Sequence, residues 1–415
     1  MAIEVKFEPT PEVIDPPTPP IPAETPQISS SSPSQIPTEI ISDEEMSLIE
    51  AAFSFAVTAR STSTSLRPHR NSPSITSVNL VSKRNSSNSS TSYSVGDIED
   101  GIGTQRVQKK KKVTESLLYR FRRKTGLFVT DITSTEWCEK QQEFFLLCGK
   151  PKASKAMKAG SARHTVLEEE VITRVEVLIR SSEERWALKM INFIHGTNQL
   201  FFEGLTRELP MMGFVDGVCV VGVIDEIRET TIMENRHVPT LVETKTRSQN
   251  NLPSEPQQRN GKLQLMCYKY LWDNLVANPF PTQQFLKLFS LNSNFILSKE
   301  IQETAIQAGV PAKTLHDVLT QYQYVCSMLP KTQDQLLLRY EYQKDQSLIG
   351  ENEFMYDSDW VTGQIKSSIE FWKGEREANY ALEDERWKCR FCKYESKCPI
   401  NVTSQEHNAQ TTKEA

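Results

Sequence analysis

The chain holds 415 residues, 38% of them hydrophobic, with a formal net charge of −5. That length suits one large domain or two ordinary ones, and no run approaches the ~18 consecutive apolar residues of a transmembrane helix. The charge balance excludes a protein that is basic all over, though not a local basic groove. Eight Cys are too few for a disulfide scaffold in a chain this long, so reduced thiols or metal ligands are expected.

The first residues carry Glu4, Glu12 and Asp15 among many Pro, with no apolar stretch, so they do not read as a secretory signal. Ten of the 22 Pro lie at or before Pro37, and Ser, Thr and Asn dominate residues 29–94. Such composition buries too little apolar surface to offset ordering entropy, so 1–110 is expected to be a disordered tail. One short helix is expected within it, near 43–58. Ser42 and Glu45 form a capping box, and Met46, Ile49, Phe53 and Ala56 share a face behind it. It is either a partner-docking helix or a frayed helix with no role. Lys109 to Lys112 form a basic run, read as a nuclear localisation signal, a nucleic-acid arm or a solvated linker. There is no internal repeat and no G-x-x-x-x-G-K-[ST] phosphate loop, which argues against an ATP-driven motor.

The globular texture spans 113–401, and 402–415 is expected to be disordered. Helices are expected from Asp131 or Ser134 through Leu147, from Ser154 past Val166, and from Ser181, whose capping box is closed by Glu184. Residues 201–210 and 214–227 read as strands, with Gly213, Gly217 and Gly222 as turns or bulges. A third strand covers 240–246, a polar Pro-containing loop 248–261, and a helix 262–276. Another helix at 311–328, a strand at 336–342 and a helix at 359–372 complete a mixed α/β domain with a small central sheet.

Three polar features interrupt this apolar pattern. Asp225 ends the Gly222-Val-Ile strand, Glu243 and Lys245 project from one face of the next strand, and His164 lies on a helix upstream. Each alone has a structural explanation: a satisfied histidine, a turn cap, a cross-face ion pair. In this order they suit metal-dependent phosphodiester hydrolysis, which needs hard oxygen ligands and a group that positions water. Asp225 and Glu243 supply oxygens, His164 a nitrogen, the Thr244 carbonyl a further oxygen, and Lys245 orients the water. Gln264 and Tyr268, one helical turn apart, would bond a substrate phosphate, brace Lys245, or pack on the sheet edge. Arg163, Arg247 and the basic residues of the helix after Ser154 would hold substrate phosphates. Trp387, Phe391 and Tyr394 would stack bases or shield a cluster.

Cys389-x2-Cys392-x5-Cys398 ends the folded part, and Cys138 lies far upstream beside Trp137. Cys148, Cys219, Cys267 and Cys326 read as core thiols. Lys388, Arg390, Lys393 and Lys397 are expected to stabilise thiolates in the trio. Four thiolates suit zinc or an iron–sulfur cluster alike.

The set formed by Gly160–His164, Gly222-Val-Ile-Asp225, Glu243-Thr-Lys245, Gln264–Tyr268 and the four cysteines resembles the RecB-type nucleases of the PD-(D/E)XK superfamily. More closely, with Asp131-Ile, Glu136-Trp-Cys138, Arg207-Glu-Leu-Pro210 and Lys245-Thr-Arg247, it resembles the exonuclease V (defects-in-morphology) family over about 115–400. The resemblance implies a PD-(D/E)XK restriction-endonuclease-like core and a [4Fe–4S] cluster on Cys138, Cys389, Cys392 and Cys398. It implies Mg²⁺, with Mn²⁺ as a substitute, at His164, Asp225 and Glu243, with Lys245 catalytic. It also implies a single-stranded DNA exonuclease releasing short oligonucleotides in DNA repair or genome maintenance. A monomer is expected, with a single-strand-binding or repair protein as the expected partner of the helix near 43–58 and no membrane partner, in the nucleus, or in a mitochondrion or plastid given the Ser- and Arg-rich stretch 60–84. The competing class is a non-catalytic iron–sulfur or zinc module that binds DNA or a repair partner. A decayed site is expected to lose a carboxylate or the lysine, and none is lost.

Overall fold

The computed structural model describes residues 78–83, 115–149, 153–232 and 236–400. The expected helix near 43–58, the basic run Lys109 to Lys112 and the segment 402–415 lie outside the described residues.

Two polar hydrogen-bonding problems shape the start of the domain. Helix α1 (Leu117–Arg122) is capped by Ser116, whose hydroxyl accepts from the Tyr119 amide. Strand β2 (Leu127–Phe128) leads into α2 (Val129–Cys148), where Asp131 accepts from the Phe128 amide and takes both arms of the Arg122 guanidinium. Helix α3 (Lys155–Glu169) follows, then β3 (Thr173–Leu178) and α4 (Ser182–Glu203). The hairpin of β4 (Leu205–Val215) and β5 (Val218–Ile232) turns on Asp216-Gly217, both at positive φ, the two-residue turn that matches strand twist. Strand β6 (Arg236–Arg247) pairs antiparallel with β5. Helices α5 (Glu255–Ala277), α6 (Thr282–Phe289), α7 (Lys299–Gln307) and α8 (Leu315–Met328) come next. The chain closes with β7 (Gln335–Tyr342), β8 (Leu348–Met355), α9 (Ser358–Lys373) and two 3₁₀ turns, Glu383–Phe391 and Glu395–Lys397.

The main sheet has six strands in the order β2-β5-β6-β7-β8, with β4 on the far edge of β5. It is mixed: β2 runs parallel to β5, β6 parallel to β7, and the other pairs are antiparallel. Helices cover it, and the core gathers Trp186, Phe193, Trp272, Phe285, Tyr322 and Trp372, all fully buried. The mixed α/β class with a central sheet is therefore what the sequence led us to expect.

One irregularity matters most. Along its whole length up to Arg228, β5 pairs with β4 on one edge. Its other edge pairs with β6 only from Ile232 back to Glu226, and with β2 at Val221 and Val220. Between these, at residues 222–225, the strands fork and β6 continues alongside β7.

Several sequence expectations need correction. Gly213 and Gly222 lie mid-strand and only Gly217 turns. Gly222 is required because a Cβ there would lie 2.4 Å from the Tyr268 ring, which fills the fork. Phe201 and Phe202 end α4, and their strand begins at Leu205. The polar stretch 248–261 is not all loop: α5 starts at Glu255, with Pro256 tolerated in the first turn, where a helix has unpaired amides anyway. Residues 229–232 and 236–239 are paired strand residues of β5 and β6. Helix α8 starts at Leu315, not at 311, with Thr314 and Asp317 as its capping box. Strand β8 and helices α6 and α7, each of nine residues or fewer, are further elements that the expectations did not include. Within the expected disordered tail, Val78–Lys83 form strand β1, which pairs in parallel with β3. Cys148 is exposed, at the end of α2, and is not a core thiol.

Candidate active site and four-cysteine pocket

The fork in the sheet is where the polar residues meet. Asp225 stands on β5 at the point where β6 departs, and its Oδ2 accepts from the Thr244 amide at 3.0 Å. The main-chain donor left by the fork is thus satisfied by a side chain. Glu243 and Lys245, two residues apart on β6, project from one face, and Lys245 Nζ lies 2.9 Å from Glu243 Oε1. Lys245 also donates to Gln264 Oε1 on α5 at 2.9 Å. Of the readings offered for Gln264, bracing Lys245 is the one observed. Tyr268 is 2% exposed, receives Gln264 Nε2 at 3.4 Å and packs on Gly222. Its ring fills the space beside Gly222 and so supports the fork.

His164 reaches the fork from α3. Its Nδ1 lies 3.7 Å from Asp225 Oδ2 and 3.3 Å from an unexpected neighbour, Glu208 Oε1. His164, Glu208 and Asp225 each bring a ligating atom within 4.8 Å of the others, an arrangement able to hold a metal ion. Glu208 was missed in the sequence reading, yet a signal exists. Counting back equally from the Asp216-Gly217 turn sets Glu208 opposite Asp225, and facing residues in a hairpin share a side. The backbone at Glu208 has φ 49, a left-handed conformation disfavoured for any residue with a Cβ. Such strain costs about 1–3 kcal/mol and gathers at functional sites.

The electrostatics point the same way. Burial pushes the Asp225, Glu208 and Glu243 carboxyls up, and Asp225 adds to the effect on Glu243, which reaches about 7. Burial alone would lower His164, but Asp225, Glu208 and Glu243 together raise it to about 9. Three carboxylates, Glu243 buried and Asp225 and Glu208 half-buried, that draw a proton so strongly onto an imidazole form a site short of positive charge. Glu243 Oε2 is buried and has no hydrogen-bond partner among the described residues, an oxygen left for a cation.

Helix α3 is set over this fork by polar clasps. Arg207 donates to Leu167 O at 2.7 Å, to Glu170 at 2.5 Å and to Glu226 at 3.0 Å. Arg163, expected to bind phosphate, is paired with Glu341 at 2.7 Å, and Arg247 donates to Gln257 at 3.4 Å. Both therefore hold the scaffold.

The four cysteines also converge. Cys138, Cys389, Cys392 and Cys398 line one pocket with Trp137, Lys140, Phe144 and Tyr380. Helix α2 breaks at Cys138, whose backbone is extended (φ −172, ψ 112), and the amides of Lys140, Gln141 and Ala381 face its sulfur. Trp387 meets Trp137 edge-on and Tyr394 stacks on Phe144, so two of the three C-terminal aromatics pack around the pocket. The expectation that basic neighbours stabilise the thiolates is not met. Lys388 is buried against Glu385 at 2.6 Å, and burial with mutual repulsion pushes the Cys138, Cys389 and Cys392 thiols up. Four clustered soft sulfur donors are a donor set that suits a thiolate-bound metal centre.

Residues 116–238, 229–311 and 312–399 match the family described as "Exonuclease V - a 5' deoxyribonuclease". The chain belongs to the exonuclease V family. It is 31% identical over 333 residues to exonuclease V of Danio rerio, covering 78% of this chain and 83% of that protein. It is 33% identical over 63 residues to a mitochondrial exonuclease V of Candida dubliniensis, covering 15% of this chain and 10% of that one. The crystal structure of SSO0001 overlays with a TM-score of 0.28 at 13% identity, covering 66% of this chain and 86% of that one. Every residue named at the fork and in the pocket lies within the family match.

Proposed function

We propose that this exonuclease V family member is a metal-dependent single-stranded DNA exonuclease, releasing short oligonucleotides in DNA repair or genome maintenance. The observation that carries the reading is the convergence of His164, Glu208, Asp225, Glu243 and Lys245 at one fork of the sheet. Family membership supports DNA as substrate, and the family description supports attack from a 5′ end.

Asp225, Glu208 and His164 would hold a divalent cation, with Glu243 and the Thr244 carbonyl beside them. When bound, an ion of the Mg²⁺ type polarises a phosphate oxygen and lowers the pKa of water. Lys245 is fixed between Glu243 and Gln264 and orients the attacking water by its Nζ. Water attacks phosphorus in line, the bond to the 3′ oxygen breaks, and a 5′-phosphate and a 3′-hydroxyl result. Glu208 Oε1 lies 3.3 Å from His164 Nδ1, the same nitrogen that approaches Asp225, and holds the ring at the fork. The cysteine pocket would carry a [4Fe–4S] cluster, on donor chemistry and family resemblance.

The nucleus is the compartment proposed, on the basic run Lys109 to Lys112, and the mitochondrial relative makes that organelle the second one to test. The function is tested with labelled single strands carrying one blocked end. Mg²⁺-dependent release of short products from the 5′ end, stopped by EDTA, is expected. Digestion unaffected by EDTA contradicts the metal role. An iron and zinc count on anaerobically purified protein tests the pocket: iron with absorbance near ~400 nm is expected, and zinc in a colourless protein contradicts it.

A further inference from the structure

Between the two sites runs an ionic bridge that neither chemistry requires. Arg259, in the second turn of α5, donates to Glu136 at 2.5 Å and to Glu385. Glu136 stands two residues before Cys138, and Glu385 four residues before Cys389. Glu385 also takes Lys388 Nζ at 2.6 Å, and that ammonium, buried, sits 4.4 Å from the centre of the Trp137 ring. Trp137 and Lys388 each immediately precede a pocket cysteine. One guanidinium thus joins both cysteine-bearing segments, which are remote in sequence.

The same stretch of α5 reaches the fork. Asn260 donates to Thr133 O at 2.9 Å, tying α5 to α2. Gln257 receives Arg247, two residues beyond Lys245. Gln264, about 7.5 Å along the axis from Arg259, holds Lys245 Nζ. A helix is stiff over five residues, so a shift at Arg259 is carried to Gln264. A guanidinium shared between two carboxylates also has a fixed planar geometry that a lysine lacks.

We infer that Arg259 is a positioning residue that couples the filled state of the four-cysteine pocket to the placement of Lys245, through the first turns of α5. Loss of the pocket metal frees the Glu385 segment, releases one arm of Arg259 and loosens the helix that holds Gln264. The inference rests on the assignment of Lys245 as catalytic.

The test uses the full chain with its pocket metal. Arg259→Gln is expected to keep metal content, visible absorbance and single-strand affinity within twofold of the wild type. Its kcat should fall about tenfold with KM unchanged, the size of a coupling effect. Backbone hydrogen exchange over 255–264 should quicken. Stripping the pocket metal and restoring Mg²⁺ should slow the wild type and quicken the same amides, while Arg259→Gln shows no further change. Wild-type kcat and exchange in Arg259→Gln, or losses that simply multiply when the metal is stripped, overturn the inference. Should Arg259→Gln not fold, Glu385→Gln cuts the same bridge with the Glu136 pair intact and is judged by the same results. Lys245→Ala separates the two claims. If it turns over normally, the reading of the fork fails. If it is inactive while Arg259→Gln is normal, the coupling alone fails.

Discussion

Glu208 carries a strained backbone and a half-buried carboxylate at the same position, and the two make opposite demands on one substitution. Glu208→Gly relieves the left-handed conformation and one half-buried acid, so the domain without divalent ion should melt higher. The same change removes a ligand, so Mg²⁺ should bind more weakly, by calorimetry, and cleavage should fall. A Glu208→Gly protein with normal Mg²⁺ affinity would remove that residue from the ion site. The pH dependence follows from the same carboxylates. Glu243 is raised from 4.5 to about 7, so its contribution is present below pH 4.5 and lost as pH rises through 7. His164 is raised from 6.5 to about 9, so its contribution is present below pH 6.5 and lost as pH rises through 9. Both make the ion-free domain less stable toward high pH. A divalent ion needs the carboxylates ionised and the imidazole neutral, so it should stabilise more there. The Mg²⁺-induced rise in melting temperature should be larger at pH 8.5 than at pH 6, and equal rises would contradict the site. At this scale the sequence was largely legible. Asp225, Glu243 and Lys245 stood out because charged residues in apolar strands need a reason, and His164 and Gln264, on helices, stood out by their order around them. Glu208 did not, because finding it required the hairpin register, which depends on reading Asp216-Gly217 as a two-residue turn.

Elements that follow a clear apolar period, such as α4 with Trp186, Met190, Ile191 and Ile194, were readable as they stand. The start of α5 was not. Gln257, Gln258, Arg259 and Asn260 look like loop residues, but each finds a polar partner, and that partner is a tertiary fact. Nor was the fork itself readable, since it depends on which strand β6 chooses to follow. Tyr268 and Gly222 make the fork testable as an element. Gly222→Ala sets a methyl 2.4 Å from a ring atom that is itself buried. Overpacking of this kind costs typically 1–3 kcal/mol, so a melting temperature lowered by several degrees and reduced turnover are expected. An unchanged melting point would mean that the ring moves freely and does not hold the fork.

For the whole molecule, the boundary between tail and domain is less simple than composition implied. Composition could not show that Val78–Lys83 pair with β3, because a strand partner that distant in sequence leaves no local mark. Deleting residues 1–77 should leave melting temperature and nuclease activity unchanged. Deleting 1–105 also removes β1 and exposes the edge of β3, so a lower melting temperature with activity retained on plain single strands is expected. Equal stability of the two truncations would show that β1 contributes nothing to the domain.

The proposed function requires that the phosphodiester bond be cut at the fork. The most direct measurement compares the wild type with Glu243→Gln on the same single strand, at equal DNA occupancy and saturating Mg²⁺. DNA binding should be retained and cleavage should fall by roughly 10²–10³ or more, as on removal of a charge-stabilising group. Cleavage by Glu243→Gln near the wild-type rate would place the chemistry elsewhere in the molecule.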